Sequence, residues 1–285
     1  MQLVKAAMIG DVVGQTGLEI LESKLPALIK EHKIDFVTVN GENAAEGFGM
    51  TERDFRRIIA AGADVVTSGN HVWEKRDFWP ILETEKNMLR PANYPAGSST
   101  GQTVSGNGLS YIKKNGINWI VINLQGRELM SPLDCPFQCF DRLIEIHTGI
   151  ATDNHSLMSA DGSSFIPHAF PLVLIDFHAE SSREKEAFGY YVDGRVSLIA
   201  GTHTHVQTAD ERIMPKGSAY ITDLGMTGSI ESVIGMEPKI CLDRARKQVF
   251  YQMETAPVNT GRMQGVIAEI YAETGKAVSI RRFSV

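Results

Sequence analysis

Short apolar runs alternate with amphipathic stretches from the first residues onward. Leu3 to Ile9 is such a run, stopping at Gly10-Asp11-Val12-Val13-Gly14. Leu18, Leu21, Leu25 and Leu28 then recur at helical spacing, and Pro26 inside that pattern predicts a helix kinked or split there. Ile34 to Val39 is a second run, opening into Asn40-Gly41-Glu42-Asn43-Ala44-Ala45-Glu46-Gly47-Phe48-Gly49. Thr51-Glu52-Arg53-Asp54 has the form of a capping box, and Phe55, Ile58 and Ile59 give the next helix an apolar face. After Gly62, Ala63 to Thr67 is a third run, leading into Ser68-Gly69-Asn70-His71-Val72-Trp73. Strand, helix, strand, helix, strand with short links predicts a parallel sheet with right-handed crossovers. The loops at the carboxyl ends of such strands open on one edge, so Asp11, Glu42 and Asn70 are expected to share it.

The pattern changes in the second third of the chain. Arg90 to about Gly108 is rich in Gly, Pro, Ser and Thr and reads as a loop across that edge. Leu109 to Lys113 and Ile117 to Leu124, joined through Asn115-Gly116, predict a hairpin, so the sheet content becomes mixed. Thr148 to His168 is polar, with little periodicity, and reads as an inserted surface excursion. Pro171 to Phe177 is a strand ending at His178, followed by a second capping-box signal at Ser181-Ser182-Arg183-Glu184. Val196 to Ala200 and Ala219 to Thr222 are further strands, and Gly265 to Tyr271 with Ala277 to Phe283 form a closing hairpin. With no internal repeat, coiled coil or linker, the expectation is one domain over residues 1–285 with a surface insertion around 148–168.

Composition narrows the partners. The 285 residues are 43% hydrophobic, enough for a substantial core, and the net charge of -6 leaves no basic footprint for a nucleic acid held by its backbone. Single nucleotides remain open, as does a homo-oligomer. Three cysteines, Cys135, Cys139 and Cys241, form neither a disulfide framework nor paired metal-binding clips and are read as ordinary thiols of a reducing cytoplasm. The N-terminal run is too short and wrongly flanked for a signal peptide, and no apolar run approaches the roughly 18 residues that cross a bilayer. A soluble, cytoplasmic protein without a membrane partner is expected.

The chemistry gathers at the exits of the runs. Gly201-Thr202-His203-Thr204-His205 follows Val196 to Ala200, and two imidazoles one residue apart just past a strand are expected to point the same way. Taken singly, the other exit residues have plain explanations. Asp11 would cap a helix, Asn43 and Asn70 would serve turns, and His178 would be a satisfied core histidine. Five strand ends converging on such residues are harder to explain that way. Carboxylate, carboxamide and imidazole together suit Fe, Mn or Zn better than Mg or Ca. One ion rarely takes six protein ligands and keeps a position open, whereas two ions sharing a bridging carboxylate use all six and leave room for water. Such a pair serves hydrolysis of a phosphate ester.

These residues carry a resemblance. Gly10-Asp11, Gly41-Glu42-Asn43, Gly69-Asn70-His71, a lone His178 and Gly201-Thr202-His203-Thr204-His205 occur in the order of the calcineurin-like metallophosphoesterases. Asn40-Gly41-Glu42-Asn43-Ala44, Ser68-Gly69-Asn70-His71-Val72-Trp73, Asp176-Phe177-His178-Ala179-Glu180 and Asp223-Leu224-Gly225-Met226 are similar to the YmdB-like branch. The resemblance implies an α/β fold, a four-layer α/β/β/α sandwich with two mixed sheets. It implies two divalent or trivalent metal ions, Fe or Mn before Zn, and a phosphodiesterase acting on small phosphate diesters such as 2′,3′- or 3′,5′-cyclic nucleotides through a hydroxide bridging the metals. Carried over by position, Asp11 and His205 hold one metal, Glu42 bridges, and Asn70, His178 and His203 hold the other. Asn43 lies at the first metal or on a substrate phosphate oxygen, and His71 is the general acid that donates a proton to the leaving alkoxide. Two departures from the broader superfamily stand out. Val13 replaces the usual histidine of Asp-x-His, and Glu42 replaces the usual bridging aspartate.

Two other readings belong to different classes. A metal-dependent amidohydrolase also uses His-x-His, but early in a barrel rather than late in the chain. A regulatory protein that binds metal and nucleotide with weak or no turnover would show the same ligands. Asp223 and Arg183 are candidates to orient a ligand or touch phosphate, and Trp73 and Phe48 to stack on a base; each is equally explained as an ion pair or as packing.

Overall fold

A computed structural model describes residues 1–95, 104–148, 171–257 and 260–285. The first half of the chain runs β1 (Leu3–Ile9), β2 (Asp11–Val12), α1 (Gly14–His32), β3 (Phe36–Asn40), α2 (Glu52–Ala60), β4 (Val65–Thr67) and α3 (Trp79–Thr84). It continues through β5 (Leu109–Lys114), β6 (Ile117–Gln125), α4 (Pro136–Thr148), β7 (Leu172–His178), α5 (Ser182–Val192) and β8 (Leu198–Thr202). Then come β9 (Arg212–Ile213), β10 (Ala219–Ile221), β11 (Met226–Ser229), α6 (Pro238–Lys247), β12 (Gly261–Tyr271) and β13 (Ala277–Ser284).

Local chemistry explains most of these boundaries. Thr51 caps α2 through a complete box, its hydroxyl accepting from Asp54 N while the Asp54 side chain accepts from Thr51 N. Ser181 caps α5, but Glu184 does not close a box there, because its carboxylate takes the backbone N–H groups of Arg127 and Glu128 instead. Pro26 neither splits nor ends α1; it lies on the exposed face, where water can take the hydrogen bond that proline cannot make. Asn115 and Gly116 both adopt positive φ, +52° and +80°, which suits the two-residue turn between β5 and β6.

Two sheets form. The first has seven strands in the order β2-β11-β12-β1-β3-β4, with β13 also on β12. β1, β3 and β4 are parallel, whereas β12 pairs antiparallel with β1, Leu3 opposite Tyr271. The second sheet has six strands in the order β5-β6-β7-β8-β10-β9, parallel from β6 to β10 with antiparallel edges at β5 and β9. Val4, Ala6, Met8 and Phe36 from the first sheet pack against Trp119, Leu172, Leu174 and Leu198 from the second, with Phe36 stacked on Trp119 at 4.5 Å between centroids. The outer face of the first sheet is covered by α1 and α2 through Leu21, Leu25, Phe55 and Ile58, and that of the second by α4 and α5 through Phe140, Ile144 and Phe188. The four layers are therefore helix, sheet, sheet, helix. Most of the Thr148 to His168 excursion, from 149 on, lies outside the described residues, as do residues 96–103 of the long loop before β5.

Candidate metal centre

The carboxyl ends of β3 and β4 in one sheet, and of β7 and β8 in the other, meet at a common rim. Asp11 reaches it from β2, one residue past β1, because Gly10 packs directly against the Gly225 carbonyl with no space for a Cβ. Glu42 and Asn43 follow β3, Asn70 and His71 follow β4, His178 is the last residue of β7, and His203 and His205 follow β8. Residues from two different sheets are thus brought to one place. Asp11, Glu42, Asn43, His178 and His205 are all buried there.

The centre of the group is His178 Nε2. It lies 3.0 Å from Glu42 Oε1, 3.0 Å from Asn70 Oδ1 and 3.0 Å from His203 Nδ1. Glu42, His178 and His203 offer ligand atoms all within 4.8 Å of one another. Beside them, Asn43 Nδ2 is 3.3 Å from Glu42 Oε1 and 3.1 Å from His205 Nε2, which is 3.7 Å from Asp11 Oδ1. Asp11 Oδ1 is buried with no hydrogen-bond partner. A carboxylate oxygen in that position needs a cation or a proton.

The hydrogen bonds on the outer side of each imidazole decide what its inner nitrogen can do. His205 Nδ1 faces the Ile234 carbonyl at 2.7 Å, which can only accept, so Nδ1 carries the proton and Nε2 keeps its lone pair. His203 Nε2 faces Glu180 Oε2 at 3.2 Å, which likewise leaves Nδ1 bare. Two lone pairs and several oxygens thus converge with too few protons among them. This donor set fits a borderline metal ion and fits an apolar or anionic ligand poorly.

Electrostatics agree. Burial works against a charged His178, but the charge and hydrogen bond of Glu42 prevail and raise it to about 9. Burial pushes the Asp11 carboxyl up to about 7, partly opposed by His205 and His178. His203 is lowered to about 3 by burial and by the neighbouring His178.

The turn holding His203 and His205 is strained. Both have positive φ, +98° and +63°, a conformation that costs a non-glycine residue on the order of 1–3 kcal/mol. They do not point the same way, because the chain has left the extended conformation after Thr202. His203 turns toward His178 and His205 toward Asp11 and Asn43. A buried pair, Lys185 Nζ to Asp223 Oδ2 at 2.7 Å, anchors the turn, since Asp223 also accepts from Thr204 N and Oγ1. The strain is balanced by those bonds and by His203 N donating to Asp11 Oδ2 at 3.3 Å.

His71 sits at the rim, half-buried, and touches the cluster through its backbone N–H, which donates to Glu42 Oε2 at 3.3 Å. Its ring lies edge-on to Phe48, and Nδ1 is 3.5 Å from Glu74 Oε1. Arg183 joins nothing here; it is 83% exposed and pairs with Glu128. Trp73 packs edge-on against Trp79 and Tyr94, which accounts for it as packing.

Several residues that matter to this geometry carry little signal of their own in the sequence. Glu180, Thr202 and the Ile234 carbonyl fix the three imidazoles, while Asn40 accepts from Glu42 N and Lys185 supports Asp223. Asn40 and Glu180 stand in the motifs quoted above, as does Asp176, but the sequence gives none of them a role. Gly69 is a steric requirement as well. A Cβ at that position would collide with the His178 ring and with Glu42 Oε2. Gly69→Ala is expected to displace one of them, at about 1–3 kcal/mol of stability, and to weaken metal binding; thermal unfolding with and without metal will show both.

A helix–sheet–sheet–helix sandwich with carboxylate, amide and imidazole groups gathered where the strands of both sheets end defines a phosphoesterase of the metal-dependent class. The chain belongs to the YmdB-like protein family, whose profile matches residues 7–283. A 2′,3′-cyclic-nucleotide 2′-phosphodiesterase of Bacillus subtilis (strain 168) is 41% identical over 282 residues, covering 99% of this chain and 97% of the relative. Among solved structures, a novel phosphatase from Mycoplasma pneumoniae superposes with a TM-score of 0.85 at 31% identity, over 100% of this chain and 94% of that one. A hypothetical protein from Thermus thermophilus gives 0.82 at 35% identity over 99% of both. No described helix is long and apolar enough to cross a membrane.

Proposed function

We propose that this chain is a metal-dependent phosphoric diester hydrolase that opens 2′,3′-cyclic nucleotides at the 2′ oxygen, with two metal ions in the cluster. The observation that carries the reading is the convergence of Glu42 Oε1, Asn70 Oδ1 and His203 Nδ1 at 3.0 Å from His178 Nε2. Asn70, His178 and His203 would hold one ion, Asp11 and His205 the other, and Glu42, placed between the groups, would be shared. The mixed oxygen and nitrogen donors favour Fe or Mn, with Zn next. Bound there, the ions would supply charge to the phosphate oxygens and acidify water. The activity of the Bacillus subtilis relative supports the 2′,3′-cyclic substrate.

The chain's own groups do the rest. Asn43, between Glu42 and His205, can give its amide NH2 to a phosphate oxygen or, after a half-turn, its amide oxygen to a metal. Hydrolysis adds water across the P–O2′ bond, so the departing 2′ oxygen needs a proton. With Nδ1 facing the Glu74 carboxylate, His71 would donate it from Nε2 when the ring carries both protons. The product is a nucleoside 3′-phosphate. Turnover of a panel of 2′,3′- and 3′,5′-cyclic nucleotides with Mn, followed by chromatography, tests this. Conversion of the 2′,3′ compounds to 3′-phosphates is expected; tight binding without turnover would favour a regulatory role.

Metal binding should also depend on pH. Asp11 has its carboxyl raised from 3.8 to about 7, and His178 its imidazole raised from 6.5 to about 9. Both shifts favour the protonated state of the fold, so their stabilisation is present at low pH. In metal-free protein the Asp11 contribution is lost as pH rises through about 7, and the His178 contribution as it rises through about 9. An ion replaces those protons. The gap in Tm between metal-loaded and chelated protein is therefore expected to widen from about pH 6 to about pH 8.5, as differential scanning fluorimetry can check.

A further inference from the structure

Beneath the cluster lies a buried carboxylate that touches none of the proposed ligands directly. Asp176 comes from β7, two residues before His178 on the same face of the strand. Its Oδ1 accepts from Thr202 Oγ1 at 2.7 Å, and its Oδ2 accepts from Asn40 Nδ2 at 3.0 Å and from Thr67 Oγ1. Asn40 and Thr67 end β3 and β4 of the first sheet, while Asp176 lies two residues before the end of β7 and Thr202 ends β8 in the second. The carboxylate therefore clasps the two sheets directly under the site. Asn40 in turn accepts from Glu42 N at 3.1 Å, and Thr202 Oγ1 meets His178 Nδ1 at 2.9 Å.

We infer that Asp176 is a positioning residue that sets the tautomer of His178 through Thr202, keeping Nε2 bare toward the cluster. A threonine hydroxyl has one proton to give. Thr202 gives it to Asp176, so toward His178 it can only accept, and His178 Nδ1 must carry a hydrogen. When the ring gives up its second proton to a metal, the lone pair therefore lies on Nε2, the atom at the centre of the cluster. The inference rests on reading the cluster as a metal centre.

Asp176→Asn tests the relay because it preserves shape while reversing polarity at one oxygen. All three neighbours of Asp176 donate, so the new NH2 must oppose one side. The Asn40 amide hydrogens cannot turn away, whereas the Thr202 hydroxyl can. The NH2 therefore settles against Thr202, whose proton swings to His178 Nδ1 and moves the imidazole proton onto Nε2. Metal affinity is expected to fall by about 10- to 100-fold, in line with losses of outer-shell partners elsewhere.

Thr202→Val, which removes the acceptor and leaves Asp176 in place, should lose affinity in the same direction, while Thr202→Ser should restore it. Zn affinity is measured by calorimetry on chelated protein, and the ring nitrogens of His178 by 15N NMR of the Zn-loaded forms. Wild type and Thr202→Ser should show a protonated Nδ1 with the metal on Nε2, a signature that a purely structural role would not alter. If Asp176→Asn fails to fold, Thr202→Val decides the matter. Wild-type affinity and an unchanged His178 signature in Thr202→Val would overturn the relay. Absence of Zn, Mn and Fe binding by wild type would instead overturn the metal reading itself.

Discussion

Glu42→Gln is expected to empty the site and reduce phosphodiesterase turnover at least a thousandfold, about 4 kcal/mol of transition-state stabilisation. The substitution keeps the volume of a buried side chain but removes the negative charge that the His178 imidazole and the Asn43 amide share. The new amide hydrogens would also oppose the N–H groups of Asn43 or His71, which both donate to that carboxylate in the native arrangement. The fold should survive because glutamine keeps the volume of the carboxylate, and His178, no longer facing a negative charge, can give up its proton rather than stay buried as an unpaired cation. Elemental analysis beside far-UV circular dichroism separates these effects: metal absent, structure present. Full metal content in Glu42→Gln would remove Glu42 from the ligand set.

His71→Ala should behave oppositely. Its link to the cluster is a backbone N–H, which alanine retains, so metal content should match wild type. Turnover of a 2′,3′-cyclic nucleotide should fall by about 10²- to 10⁴-fold, the usual range for a lost general acid. A diester with a nitrophenolate leaving group needs no proton on departure, and its hydrolysis should be nearly unchanged. Equal losses on both substrates would assign His71 to binding, and no loss on the cyclic nucleotide would end its role as the acid.

The contrast between these variants reflects what the sequence makes legible. The gathering of Asp11, Glu42 and Asn70 at one rim follows from strand periodicity and the rule that parallel strands open their loops on a single edge, whereas His178 arrives from the other sheet and is tied to them in the sequence only by the resemblance. The four-layer sandwich itself is legible only through family resemblance. Periodicity reports only which face of an element is buried. It does not anticipate β12 inserting antiparallel beside β1, a pairing that joins residue 3 to residue 271. Nor does it reveal α4 or α6, since α6 has no buried residue to mark a face. The divergence of His203 and His205 is also hidden, because an extended strand places alternate residues together and only positive φ breaks that rule. The supporting groups Glu180, Thr202 and the Ile234 carbonyl act through distance in space, and no spacing in the chain encodes that.

The account stands most directly on the number of ions the protein holds. Mn added to chelated protein in a calorimeter should bind at two equivalents per chain, with one lost in His178→Ala and the other in Asp11→Ala. A titration showing no binding, or binding that survives both substitutions, would contradict it.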